Sequence, residues 1–172
     1  MSDLSRVLVA IVLAAAATFS AAPPAAATTT NVAFLGDAAP GTIVVRTSER
    51  RLYLVLAEGR ALRYVVGVGR AGRQWAGASY IDGMYLRPNW APPDAVKRAQ
   101  PNLPDLIPSG APGNPMGVAA MTIAGGEYAI HGTNAPESIG GFVSYGCIRM
   151  YNTDIADLYA RVRVGTPVLV TR

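Results

Sequence analysis

The chain is poor in the residues that carry metal and redox chemistry. Its 172 residues include one cysteine and one histidine. A structural disulfide or a Cys-x-x-Cys redox centre needs two thiols, so neither exists within this chain. A zinc site draws several ligands from Cys and His, so no metal site is credible and no cofactor is expected. Lys97 is the only lysine, and the remaining cations are arginines. Net charge is +4, yet Arg46, Arg60, Arg87, Arg149 and the others are scattered and form no basic stripe with interleaved aromatics. Nucleic acid is therefore a poor partner. A mild positive field suits an anionic polymer or a membrane surface, and a merely soluble surface equally well.

Long apolar runs are confined to the N-terminus. Residues 1–6 form a short segment with Arg6 as its cation, and Val7–Phe19 is apolar. Ala25-Ala26-Ala27 offers a small-x-small cleavage site. This pattern predicts a secretory signal over residues 1–27, with export to the periplasm or cell envelope. The run is short for a bilayer and ends at Pro23-Pro24, so no transmembrane span is expected after cleavage; a retained anchor is the alternative. Loss of Asp3 and Arg6 cancels, so the remaining chain keeps its +4 balance.

Residues 28–40 read as a flexible lead-in, and residues 41–172 as one domain. Strands are expected over Gly41–Thr47, Arg51–Leu56 and Leu62–Val68, the last two joined at Glu58-Gly59. Residues 70–116 hold most of the prolines and both tryptophans, Trp75 and Trp90. They predict long ordered loops with one short helix near Pro93–Ala99. Strands return at Met116–Ile123 and Glu127–Ile130, the second ending at His131. A helix capped by Asn152 or Thr153 should run through Asp154–Ala160 with Ile155, Leu158 and Tyr159 on one face. Residues 165–171 close the chain as a strand. The fold class expected is mainly β with one or two short helices.

The lone histidine and the lone cysteine stand 16 residues apart. A thiol with an ordinary pKa of about 8.5 needs a base at neutral pH. His131 is the only imidazole available to Cys147. Proximity by itself favours a buried structural thiol and a satisfied core histidine. Export shifts the odds toward function without deciding them, because an unpaired thiol is oxidisable in an oxidising compartment.

The flanks of the pair are more specific. Ile130-His131-Gly132-Thr133-Asn134 precedes Ser138-Ile139-Gly140, then Ser144-Tyr145-Gly146-Cys147-Ile148-Arg149-Met150, then Asn152 and Asp154. Upstream stand Arg87-Pro88-Asn89-Trp90-Ala91-Pro92-Pro93 and Asn114-Pro115-Met116-Gly117. Together these resemble the L,D-transpeptidase catalytic domain, the YkuD or ErfK-type family, over roughly residues 41–171.

The resemblance implies a β-sandwich or barrel of the L,D-transpeptidase type. It implies that Cys147 forms a thioester with a peptidoglycan tetrapeptide stem, releasing terminal D-alanine. An amine acceptor then resolves the thioester. That acceptor is a stem diamino acid, an outer-membrane protein or a lipoprotein, in a process that builds the cell wall and sets cell shape. His131 would be the base, oriented by a carbonyl in the Gly132–Thr133 stretch. Backbone N–H groups of Gly146 and Cys147 would hold the oxyanion. Ser144, Arg149 and Asn152 match motif positions. Arg149 would lower the thiol pKa or bind a stem carboxylate, against a salt bridge to Asp154. Asn152 would shape the site or only cap the helix, and Ser144 would serve the turn. Tyr145 stands where many members carry a second histidine, which puts that histidine's contribution in doubt here. Thr133 and Trp90 join the candidate site, and Trp75, Trp90 and Tyr85 are candidate groove walls. Segment 70–116 is read as a lid over the pair. Carbapenems are expected to acylate Cys147. The alternatives are a hydrolytic L,D-carboxypeptidase or endopeptidase on the same fold, and a non-catalytic wall-binding domain.

Overall fold

A computed structural model describes residues 29–172 of the chain. The expected signal segment, residues 1–27, lies outside the described residues. Among the described residues, no helix is long and apolar enough to cross a membrane.

The first half is an antiparallel meander. Strands β1 (Thr30–Ala33), β2 (Ile43–Arg46), β3 (Arg51–Val55) and β4 (Arg60–Val65) pair in the spatial order β1-β4-β3-β2. Their β-branched and aliphatic residues explain the pairing, since such side chains pack well on a pleated surface. Ile43, Val45, Leu52 and Leu54 all enter one core.

The second half carries the motif residues. It contains β5 (Val68–Gly69), β6 (Gly77–Leu86), α1 (Asp94–Ala99), β7 (Ala119–Ile123), β8 (Ala129–His131), β9 (Phe142–Ser144), β10 (Ile148–Arg149), α2 (Asn152–Tyr159) and β11 (Pro167–Thr171). Strand β11 joins the halves. It runs parallel to β2 and antiparallel to β6, giving a nine-stranded order β1-β4-β3-β2-β11-β6-β7-β8-β10. Strands β5 and β9 form a separate parallel pair. The fold is mostly β with two short helices, as expected.

Helix α2 packs its expected face inward. Ile155 and Leu158 are fully buried and Tyr159 lies against the same core. Burying each aliphatic side chain contributes about 1.5–3 kcal/mol. The Tyr64 hydroxyl, from β4, donates to Asp157 Oδ2 at 2.7 Å and ties the helix to the meander.

Two expectations need correction. Residues 28–40, read as a flexible lead-in, contain strand β1, which pairs antiparallel with β4 along its whole length and leads into the buried Phe34. Residues 77–86, read within a loop region, form the ten-residue strand β6. Its sequence is rich in glycine, alanine and serine, and only Ile81 and Gly83 are buried. Backbone pairing on both sides, to β11 and β7, overrides this weak local preference. The expected short helix is present as α1.

Candidate active site

Strands β8 and β10 lie side by side and parallel, with Ile148 opposite Ile130 and Arg149 opposite His131. Ile130 and Ile148 are buried in the core. Side chains alternate along a strand, so His131 and Arg149 face the opposite side. The Cys147 sulfur, one step before Ile148, accepts from the Ala129 N–H and feels the Arg149 charge. The motif spacing thus brings thiol and guanidinium together, with the imidazole opposite Arg149 in the register.

His131 is 2% exposed. Its Nδ1 lies 2.7 Å from Gly132 O, which makes Nδ1–H the donor and leaves Nε2 as the basic nitrogen. Burial, then the Arg149 charge, lowers its pKa to about 4, while the carbonyls of Gly132 and Pro115 oppose the fall. The imidazole is neutral at pH 7.

Cys147 is partly exposed. Its S–H donates to Glu127 O at 4.0 Å. Burial of the sulfur raises the thiol pKa; the Ala129 N–H and the Arg149 charge offset this in part, and Glu127 adds to it. Among the described residues no hydrogen bond joins thiol to imidazole. The resting pair is therefore neutral thiol and neutral imidazole, not a preformed thiolate–imidazolium pair.

The turn before the thiol is closed by Ser144. Its Oγ donates to Cys147 O at 2.6 Å and accepts from Gly146 N–H at 3.0 Å. The Gly146 N–H, expected to help hold an oxyanion, is engaged with Ser144 Oγ in this structure. The need for glycine there has another cause. Its φ is +129°, and a Cβ would collide with the Tyr128 ring.

The loop after the base is held by Asn152. Its Oδ1 accepts from Thr133 N at 3.0 Å and Val118 N at 3.3 Å, and its Nδ2 donates to Thr133 O at 3.0 Å. Asn152 does not cap α2, whose N-cap is Tyr151 with no side-chain cap. Gly132 lies under this clamp, where a Cβ would strike Asn152 Oδ1. Thr133 is buried and accepts from Ala135 N at 3.0 Å.

Arg149 forms no salt bridge with Asp154, the partner considered for it. Asp154 instead accepts from Thr29, and burial together with Asp157 raises its pKa to about 6. Arg149 Nε is buried and has no hydrogen-bond partner among the described residues. Burial lowers the guanidinium pKa, while Cys147 and Glu137 raise it.

The tryptophans separate. Trp75 Nε1 donates to Gly146 O at 3.0 Å, and its ring stacks on Tyr128 at 5.1 Å. Trp90 bridges Ile107 through paired backbone hydrogen bonds of 2.9 and 2.8 Å and braces its own loop. Tyr85 is exposed on β6. Tyr128 and the Glu127 carbonyl belong to the site but were not singled out by sequence reasoning. Their one signal was position, three and four residues before His131.

A family profile described as the L,D-transpeptidase catalytic domain, YkuD, matches residues 40–170. The chain belongs to this family. The probable L,D-transpeptidase ErfK/SrfK of Escherichia coli K12 is 39% identical over 145 residues, which cover 79% of this chain and 46% of that protein. The putative L,D-transpeptidase YkuD of Bacillus licheniformis is 32% identical, covering 78% of this chain and 68% of that one. The chain thus spans about half the length of the first of these relatives. An L,D-transpeptidase structure from Mycobacterium smegmatis superposes with a TM-score of 0.60 at 18% identity, over 76% of this chain and 58% of that one. That likeness concerns the fold.

Proposed function

We propose that residues 41–172 are the catalytic domain of an exported cysteine transpeptidase acting on peptidoglycan tetrapeptide stems. The observation that supports this reading is the β8–β10 register, in which Arg149 stands opposite His131, with the Arg149 charge also acting on the Cys147 thiol. A donor carbonyl settles against Cys147. His131 Nε2 takes the thiol proton as the sulfur attacks, so charge develops only as the bond forms. The Cys147 N–H and the Arg149 guanidinium stabilise the oxyanion. The C–N bond then breaks, His131 passes its proton to the leaving D-alanine amine, and a thioester remains. An incoming amine, deprotonated by His131, replaces sulfur and restores the thiol. The acceptor is a stem diamino acid or an amine on an envelope protein.

A neutral resting pair supports this order of events. It leaves little thiolate to be oxidised and delays proton transfer until a substrate is present. A strained lactam carbonyl offers the same electrophile as the stem, so carbapenems acylate Cys147 in this reading.

The test is incubation with purified tetrapeptide muropeptides and mass spectrometry of the products. Crosslinked dimers with loss of D-alanine support the reading. Tripeptide alone, with water as acceptor, replaces it by hydrolysis. No product and no thioester leaves a binding domain.

A further inference from the structure

Arg70 and Arg73 lie on the exposed turn between β5 and β6, against the turn that carries the thiol. Arg70 Cζ sits 4.0 Å from the centroid of the Tyr145 ring, and Arg73 Cζ sits 5.5 Å from it. Tyr145 stands two residues before Cys147. The ring attracts both cations, while the cations repel each other. Neither guanidinium has an ion-pair or hydrogen-bond acceptor among the described residues. Each therefore keeps its five N–H donors for something else.

The scaffold under them is fixed. Arg70 N donates to Ser144 O at 3.0 Å, and Arg73 N donates to Arg70 O at 2.9 Å. Trp75 Nε1 closes the same turn onto Gly146 O. A third cation, Arg149, acts on the thiol and has its buried Nε unpartnered among the described residues. The carboxylates felt by the thiol and by Arg149 are Glu127 and Glu137. Neither reaches Arg70 or Arg73 as an ion pair.

We propose that Arg70, Tyr145 and Arg73 form a carboxylate clamp that selects peptides bearing a free carboxylate and holds them beside Cys147. This rests on the transpeptidase reading. Guanidinium groups match carboxylates through paired N–H bonds. The aromatic ring holds the two long side chains in place, so less conformational freedom is lost when the ligand arrives. The ligand class is a peptide with an ionised carboxylate near its reacting amide, as opposed to the same peptide amidated there.

The test compares the full chain with Arg70→Gln/Arg73→Gln. An Arg63→Gln/Arg163→Gln variant, which removes the same charge elsewhere, is the control. Two synthetic tetrapeptide donors differ only in a free or amidated diamino-acid carboxylate. The clamp variant is expected to raise KM for the free-carboxylate donor about tenfold with kcat little changed, the size of one lost charged contact. KM for the amidated donor should change less than about twofold, and the control should match the wild type. A second readout needs no turnover: thiol alkylation by iodoacetate against iodoacetamide. The clamp variant should lower that rate ratio severalfold. An unchanged ratio, equal KM rises for both donors, or an equal loss in the control overturns the clamp. If the wild type uses neither donor, the transpeptidase reading fails and the alkylation ratio alone decides the clamp.

Discussion

Two irregular segments flank the candidate site, and they are built differently. The turn at residues 70–76 is short and locks onto the nucleophile side, through Arg70 N to Ser144 O and Trp75 Nε1 to Gly146 O. The lobe at residues 87–118 is long and locks onto the base side. Asn134 Nδ2 donates to Pro112 O at 2.9 Å, and Val118 N reaches Asn152 Oδ1 at 3.3 Å. Inside the lobe, Asn114 Nδ2 gathers the carbonyls of Pro88, Ile107 and Pro108. Helix α1 buries none of its residues. The turn contributes aromatic and cationic side chains close to the thiol. The lobe contributes its backbone, which cages the loop that aims the imidazole. The prolines of residues 70–116 all belong to the lobe, and strand β6 separates it from the turn, so the two segments serve separate purposes.

The largest effects should come from the reacting pair itself. Cys147→Ala should form no thioester while keeping its fold, read by intact mass and circular dichroism. A covalent adduct on that variant would remove Cys147 from the mechanism. His131→Ala should lower turnover by about 10²–10⁴-fold, the usual contribution of a general base. Near-normal turnover would mean that the base side does no proton transfer.

The next effect separates the two anchors. Asn152→Ala removes three hydrogen bonds and strands the buried Thr133 N–H. It should destabilise the fold by about 2–3 kcal/mol in chemical denaturation. Turnover should fall more than thiol alkylation, because the base loses its aim while the thiol does not. Equal losses in both reactions would show that the anchor supports the whole site.

The comparison also explains what could be read from the sequence. Cys147 and His131 were legible because each is the only one of its kind. The meander was legible because its β-branched runs are strong local signals. Strand β6 was not, since its small residues say little until β11 and β7 pair with it. The role of Asn152 was open between capping and shaping because both place a polar side chain at a helix start. Trp75 reaches Gly146 across 71 residues, and no spacing rule encodes such a contact. The lid reading treats residues 70–116 as one irregular cover, where the fold makes a turn, a strand and a lobe.

The pH response tests the base side alone. His131 is held neutral down to a pKa of about 4. The acidic limb of kcat/KM should therefore fall well below the ordinary histidine range near 6.5. Burial, then the Arg149 charge, is the cause of the shift. Exposing the ring to water should move the limb upward toward 6.5. A wild-type limb already at 6–7 would mean that water reaches the ring in solution.

The smallest effects concern the lobe tip and the nucleophile-side wall. Shortening the chain between Ala91 and Pro112 should spare thiol alkylation by a small electrophile. It should raise the Michaelis constant for the tetrapeptide donor severalfold if the tip covers the bound stem. If both reactions decline together in a folded variant, or neither changes, the tip is scaffold. Trp75→Phe is the matching test on the other side. It keeps an aromatic ring to stack on Tyr128 but deletes the bond to Gly146 O. One lost hydrogen bond costs about 1 kcal/mol, so stability should drop by that order. The freed Gly146 carbonyl loosens the turn that sets the thiol, and thioester formation should slow by a factor of about two to five. The acidic limb of the pH profile should stay where it was, because nothing around His131 has changed. A shifted limb in Trp75→Phe would show that the two sides communicate and that the division between turn and lobe is wrong.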